Sequence, residues 1–334
     1  MGVIYVIFLQ SMGLVMWHLL QQIQKKLIIA IPALMVLGIT LGYFADVSFL
    51  KALILPLTFL MVYPMMVNLQ LEKLVKGGGL KVQVTAQAIN FLVIPFIAFF
   101  IGSSFFSESP AIIIGLLLAA LLPTSGMTIS WTGFAKGNMA AAIKMTVVGL
   151  IIGSVLTPLY LKVLAGASIQ IPLFKIFTQI VLIVFLPMVA GLITRKALVK
   201  KIGIEKYNTE LKGKFPLLST IGVLGIVFVA MALKAKDITS DPNLILKIII
   251  PLAGIYLINY ILSTLVGKLF FNREDAIALV YGTVMRNLSI ALAIAMTAFS
   301  EQGAEIAIVV ALAYIIQVQS ASWYVKFTDK IFIK

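Results

Sequence analysis

The stretch "LLPTSGMTISW", residues 121–131, lies in the middle of an apolar segment long enough to cross a membrane. A helix in lipid should be apolar and unbroken, because hydrocarbon offers no partner to a free backbone N–H or C=O group. Pro123 removes one backbone donor, and Gly126 lets the chain leave helical geometry. Such freed groups are tolerated only where they are buried in protein or line a cavity. The stretch therefore predicts a broken helix beside a cavity.

The composition places the chain in a membrane. Of 334 residues, 61% are hydrophobic and 11% are charged, whereas a soluble domain carries about 25% charged residues. The net charge of +14 lies in short loops between apolar segments, where basic residues orient a membrane protein. We therefore expect no nucleic-acid partner. With no cysteine and one histidine, His18, the sequence predicts no metal site, no cofactor and no enzyme activity.

Apolar segments about twenty residues long predict membrane-spanning helices rather than a β-barrel. We predict ten spans. Most Lys and Arg residues then fall in loops on one side of the membrane, which is the cytoplasmic side. We therefore expect a cell-membrane protein with both termini in the cytoplasm. The spans are 27–45, 51–71, 82–106, 111–135, 139–164, 171–194, 215–234, 244–270, 275–299 and 304–325.

These spans divide the chain into five parts. The first, 1–26, is an apolar or interfacial leader without a clear signal-peptide pattern; an interfacial helix, an extra span and a misassigned start all fit it. A first repeat of five helices follows, and a basic cytoplasmic loop separates the sixth span from the remainder of the second repeat. These four parts are 27–164, 165–194, 195–214 and 215–334, where 165–194 is the sixth span and 195–214 the loop.

A second polar interruption supports an inverted repeat. The ninth span contains "MRNLS", residues 285–289, at the place in the second half that residues 121–131 occupy in the first. Five spans per half make the two halves inverted, and interrupted helices at matching places are the best sequence indication of a transporter's binding site. The simpler alternative is that these polar residues only join helices. Two matching breaks favour the binding site.

Polar side chains at membrane depth are the candidates for substrate binding. A buried arginine is costly in lipid, so Arg286 should face the protein interior or water. A half-helix beginning near Gly126 would direct its positive end at an anion. Lys144 is a candidate for a charge role, but it could also reach the cytoplasmic surface. The predicted substrate-binding residues are Thr124, Ser125, Thr128, Arg286, Asn287, Ser289, Asn90, Thr146, Gln317 and Gln319.

The acidic residues are equally informative. All 12 Asp and Glu residues lie in predicted loops or at span ends. A buried carboxylate is the usual means of holding a sodium ion or carrying a proton through a membrane. The predicted centre therefore suits an anion or a neutral polar solute.

Three segments carry a resemblance to a known family. They are "LLPTSGMTISWTGFAKGN" (121–138), "MVYPMMVNL" (61–69) and "RNLSIALAIAMTAF" (286–299). With these segments the sequence resembles the bile acid:sodium symporter and arsenite permease superfamily. The resemblance implies an all-α membrane fold of ten helices in a 5+5 inverted repeat, with a core domain (spans 3–5 and 8–10) and a panel domain (spans 1, 2, 6 and 7). It also implies alternating access, with the substrate near two crossed broken helices.

The chain differs from that family where the symporters bind sodium. Their ninth-span glutamate falls at Gly282, a nearby glutamine at Arg286, and a fourth-span asparagine at Ile129. The arsenite permeases' fourth-span cysteine falls at Thr124. We therefore expect neither the family's sodium sites nor thiol contact with a metalloid. Arg286 is interpreted as a built-in cation that holds the broken helices together without an ion.

The function predicted from these features is multi-pass secondary active transport of a small organic or other anion. Proton coupling is expected over sodium coupling. Two alternatives stay open: an arsenite or antimonite efflux permease acting without cysteine, and a non-transporting receptor or channel on the same scaffold. The expected partners are a small anionic or polar solute and the lipid bilayer, and the oligomeric state is left open.

Overall fold

A computed structural model describes residues 16–69, 79–166, 172–241, 243–299 and 302–332, and this part of the chain is almost entirely helical. Eight of its helices are long and apolar enough to cross a membrane. Within the same described residues, extended pairing is limited to an isolated bridge. The prediction of an all-α integral membrane protein is confirmed. Of the predicted leader 1–26, residues 16–25 are helical, and 1–15 lie outside the described residues.

The helices follow the predicted spans closely, but two of those spans are pairs of short helices. The count of ten crossings and the inverted repeat therefore stay predictions. The helices are α1 (Leu27–Phe44), α2 (Ser48–Val67), α3 (Leu80–Phe105), α4a (Pro110–Leu121), α4b (Gly126–Phe134), α5 (Met139–Ala165), α6 (Leu173–Ile202), α7 (Lys214–Leu233), α8 (Leu244–Phe270), α9a (Arg273–Val284), α9b (Leu288–Ala298) and α10 (Gly303–Ile331).

The segment predicted as a basic loop, 195–214, is largely helical. Helix α6 continues to Ile202 with Lys200 and Lys201 in its last turn, and short helical turns cover Ile204–Leu211. Lysine is a good helix former, and cations near a helix C-terminus are favourable. The basic composition of this segment was therefore not sufficient evidence for a loop. The division of the chain into repeats stays a prediction.

Helices α1, α2, α6 and α7 form one packed group, in which α7 lies against α1 and α2, and α2 lies against α6. Small residues permit this close packing. A Cβ added at Gly222 of α7 would lie 2.5 Å from the backbone nitrogen of Met61 in α2. Such contacts between small residues and a neighbouring backbone are typical of helices that associate in membranes.

The other helices surround α9a and α9b, which form the centre of the second group. Every residue from 276 to 296 is buried. Helix α8 packs along α9a, α10 along α9b and α4a, and α3 along α4a. A broken helix inside this shell is shielded from lipid on all sides, as exposed backbone at membrane depth requires.

The two halves of this second group are tied together at one end. The Asn138 side chain caps α5 by accepting from the Ala141 N–H at 3.0 Å. The Asn138 amide also donates to the Asp275 carboxylate at 2.7 Å, and its backbone N–H donates to the Glu274 carbonyl at 2.9 Å. The turn between α4b and α5 is therefore anchored to the first turn of α9a.

Candidate functional site

The two predicted breaks are present, and they lie side by side. Pro123 and Arg286 form an antiparallel bridge. The Thr124 N–H donates to the Met285 carbonyl, and the Asn287 N–H donates to the Leu122 carbonyl, both at 2.7 Å. Each break thus supplies the partners that the other lost when its helix ended. This arrangement satisfies the requirement that backbone groups at membrane depth be paired inside the protein.

Thr124 is the most constrained residue of the first break. Its φ of 64° lies in the left-handed region, which is unfavourable for a β-branched residue. Its hydroxyl oxygen lies 2.6 Å from the Pro123 carbonyl and 3.2 Å from that of Met145 in α5. A Cβ at Gly149 would lie 2.7 Å from the same oxygen. The glycine of α5 therefore makes room for the break.

Ser125 and Thr128 cap the half-helix α4b. The Ser125 hydroxyl accepts from the Met127 N–H at 3.2 Å, and the Thr128 hydroxyl accepts from the Ser125 N–H at 3.1 Å. This is a capping box, which satisfies backbone donors at a helix start. Thr146 of α5 donates to the Ala142 carbonyl at 2.8 Å and lies 3.5 Å from the Ser125 carbonyl. Three of the predicted site residues thus hold the first break in shape.

Arg286 fills the second break. Its guanidinium Nη1 donates to the Ala120 carbonyl at 2.9 Å. Ala120 lies in the last turn of α4a, where unpaired carbonyls form the negative end of the helix. The Arg286 N–H donates to Gln317 Oε1 at 2.7 Å, and Gln317 Nε2 donates back to the Arg286 carbonyl at 3.2 Å. The hydroxyl of Tyr256 in α8 also donates to Gln317 Oε1, at 3.0 Å.

The charge of Arg286 is balanced by dipoles. Among the described residues no aspartate or glutamate is buried, and the hydrogen-bond partner of the guanidinium is a carbonyl group, that of Ala120. Its Nη2 has no hydrogen-bond partner in the described protein, and the residue lines a cavity of about 10 Å³ together with Tyr256 and Asn259. This volume matches roughly one water molecule, which would complete the hydrogen bonding.

Asn287 and Ser289 begin α9b. The Asn287 side chain accepts from the Ile290 N–H at 3.3 Å, which makes it the cap of this half-helix. The Ser289 hydroxyl is hydrogen-bonded to the Tyr314 hydroxyl of α10. Tyr256 and Tyr314 were not among the predicted site residues. Tyr256 lies three residues before Asn259 and Tyr314 three residues before Gln317, so each shares a helix face with a buried amide, and that spacing was the available signal for them.

Asn90 joins α3 to the end of α9a. Its amide donates to the Gly282 carbonyl at 3.0 Å, and Asn259 of α8 donates to the adjacent Thr283 carbonyl at 2.9 Å. Asn90 lies in a π-helical turn, Ile89–Val93, a feature that often occurs at functional sites. Its Oδ1 has no partner among the described residues, so Asn90 retains an acceptor near the second break.

Two predicted residues lie away from the crossing, the place where the two helix breaks lie side by side at Pro123 and Arg286. Gln319 is half-buried and takes no part in the hydrogen bonds that join the breaks in the described part of the chain. Side chains two positions apart on a helix differ by about 200° in direction. Gln319 and Gln317 therefore point to different sides of α10. Lys144 faces a groove between α3 and α5. It therefore points away from Thr146, which faces the first break.

Gly126, Ser130 and Phe134 of α4b form an exposed line that we name the open strip. Phe134 is 70% exposed, and a Cβ added at Gly126 would meet nothing within 4 Å. The spacing of four places all three residues on one helix face. The strip starts at the positive end of α4b, so it offers an accessible surface directly beside the first break.

A family model described as "Sodium Bile acid symporter family" matches residues 54–241. "Arsenical-resistance protein Acr3" of Alkaliphilus metalliredigens is 25% identical over 254 residues, which is 69% of this chain and 70% of that protein. "Uncharacterized sodium-dependent transporter YocS" of Bacillus subtilis is 28% identical over 213 residues, 63% of each chain. "Sodium/bile acid cotransporter 7" of Rattus norvegicus is 28% identical over 166 residues, 47% of this chain and 46% of that protein. The resemblance inferred from three segments is confirmed.

Proposed function

This chain belongs to the Sodium Bile acid symporter family, and on that premise we propose that it carries a small organic or other anion across the cell membrane by alternating access. It is a membrane transporter, as the family and its named relatives are. The observation that carries the finer proposal is the pairing of the two breaks through the N–H groups of Thr124 and Asn287. Helices broken at membrane depth commonly line a transporter's substrate site.

The anion would bind at the open strip. The first turn of α4b has its positive end there, which favours negative charge. Ser130 adds a hydroxyl, and Phe134 adds an apolar surface four residues further on. Ser125 and Thr128 would act mainly by keeping this helix start rigid, since their oxygens cap it.

Arg286 supports the absence of sodium coupling. Its guanidinium donates to the end of α4a at Ala120, and its backbone is held by Gln317. A fixed cation in this place would attract the carbonyl ends that a bound ion would otherwise join. We propose that transport therefore proceeds without sodium, with protons or the solute's own gradient as the driving force.

The proposal is tested with purified protein in proteoliposomes. Uptake of radiolabelled organic anions is measured with sodium, with potassium in its place, and with an imposed pH gradient. We expect saturable uptake of at least one anion that is unchanged when potassium replaces sodium. Strict dependence of uptake on sodium would contradict the proposed sodium-independent transport. Absence of uptake for every anion would contradict the proposed substrate class.

The match to an arsenical-resistance protein over 69% of this chain favours a second candidate, arsenite or antimonite efflux. No thiol is available, since the chain has no cysteine, so the metalloid would have to contact hydroxyls. Expression in an arsenite-sensitive strain separates the two candidates. Restored growth on arsenite supports efflux, whereas unchanged sensitivity together with anion uptake supports the first proposal.

A further inference from the structure

A groove of about 690 Å³ runs between α3 and α5, away from the helix breaks. Its outer rim is apolar and exposed: Leu80 is 77%, Val84 is 60% and Leu92 is 68% exposed. In a membrane protein such side chains face the acyl chains of lipid, so the groove opens toward the bilayer. The remaining lining residues are Gln83, Gln87, Ala88, Lys144, Val148 and Ile152.

Three buried amide atoms in this groove have no hydrogen-bond partner among the described residues. Gln83 uses its Nε2 to donate to the Ala141 carbonyl at 2.8 Å, but its Oε1 is unpartnered, as are both polar atoms of the Gln87 side chain. A buried polar group without a partner is destabilising by about 1–3 kcal/mol. Polar groups in this condition indicate a site that a ligand or water completes.

The polar side chains of the groove are confined to one end of it. With a rise of 1.5 Å per residue, Lys144 lies about 8 Å from the start of α5 and Ile152 about 20 Å. Gln83 and Gln87 lie in the first turns of α3, between the apolar Leu80 and Val84, and Leu92 lies about one and a half turns beyond Gln87. Charge and amides therefore lie toward the start of the two helices, and the deeper part of the groove is lined by aliphatic side chains alone.

We propose that this groove binds an anionic phospholipid of the bilayer. The phosphate would lie beside Lys144 and the Gln87 amide, and one acyl chain would follow Leu92 and Ile152. Lys144 supplies positive charge, and none of the described lining residues is acidic, so the groove is complementary to a negative headgroup. The site faces away from Thr146 and the breaks, so the proposal does not rest on the proposed transport function.

The decisive experiment uses the wild-type protein. A phosphatidylglycerol with a photoreactive group in its acyl chain is added to proteoliposomes of phosphatidylcholine, illuminated, and the crosslinked peptides are identified. We expect the main crosslinks at Leu92 of α3 and Ile152 of α5, and we expect unlabelled phosphatidylglycerol to compete more strongly than phosphatidylcholine. Crosslinks spread evenly over other helices, or equal competition by both lipids, would overturn the proposal.

Variants then test the charge and the shape of the groove. Native mass spectrometry measures retention of phosphatidylglycerol against phosphatidylcholine with identical acyl chains. Lys144→Gln should weaken the preference for phosphatidylglycerol about fivefold, and Val148→Phe should reduce retention of both lipids. Lys162→Gln is the matched control, because Lys162 is exposed at the other end of α5 and should leave the preference unchanged. A preference retained in Lys144→Gln would contradict the assignment, and the wild-type crosslinks decide if a variant fails to fold.

Discussion

The two helix breaks pair with each other but differ in what fills them. The first is closed by its own residues: Ser125 and Thr128 form a capping box, and Gly126 beside them faces open space. The second contains Arg286, buried and hydrogen-bonded to Ala120 of the first broken helix. The first break thus offers an accessible helix start, whereas the second supplies a fixed charge. Under the proposed function, the first break would receive the solute, and the second would hold the two broken helices together.

Arg286→Gln should have the largest effect. The Ala120 carbonyl loses its partner and the crossing loses its positive charge, so we expect the free energy of unfolding to fall by about 1–3 kcal/mol. We also expect anion uptake to be lost or to become dependent on sodium. Thermal unfolding and uptake with and without sodium measure the two effects.

Lys247→Gln is the control for loss of a cation. Lys247 forms an exposed ion pair with Asp241 at 2.9 Å, and such a pair contributes less than about 1 kcal/mol. Normal stability together with normal sodium-independent uptake in Arg286→Gln would show that the guanidinium is not a built-in cation.

Gln317→Ala tests whether the second break is held from α10. Gln317 bonds the backbone of Arg286 at both its N–H and its carbonyl, so we expect about 1–3 kcal/mol of destabilisation, the range for a buried group left unpartnered, and weaker uptake. Gln319→Ala, two residues away on another side of α10, should change both by little. Equal thermal midpoints for the two variants would contradict this distinction.

Gly126→Leu tests whether the first break is the accessible one. A Cβ added at Gly126 meets nothing within 4 Å, so the thermal midpoint should change little, while the leucine covers the open strip and should reduce uptake at least tenfold. Gly254→Leu is the control, since a Cβ at Gly254 of α8 also meets open space. Uptake that is equal in the two variants would place the solute elsewhere.

Ser125→Ala should have the smallest effect. It removes the acceptor for the Met127 N–H, and loss of a helix N-cap costs about 1 kcal/mol. We expect a modest fall in the thermal midpoint and partly retained uptake. Complete loss of uptake with unchanged stability would instead show that the Ser125 hydroxyl contacts the solute directly.

The positions of the two breaks could be predicted because their residues oppose helix formation. Pro123 lacks an amide hydrogen, Gly126 is flexible, and Arg286 is costly in lipid. The roles of individual hydroxyls and amides could not be predicted to the same degree. Ser125 and Thr128 looked like solute ligands, yet in the structure they cap α4b, a local use that the sequence pattern does not separate from a binding role.

The sequence by itself determined that this chain is a helical membrane protein with two interrupted helices, because lipid forbids unpaired backbone and excludes most charges from its interior. Only the tertiary structure decided which groups complete those interruptions. That Thr124 bonds Met285, that Gln317 rather than Gln319 holds Arg286, and that Lys144 faces the groove between α3 and α5 all depend on how distant helices are rotated against each other. Apolar spans leave that rotation undetermined, because nearly every face of such a helix is equally apolar.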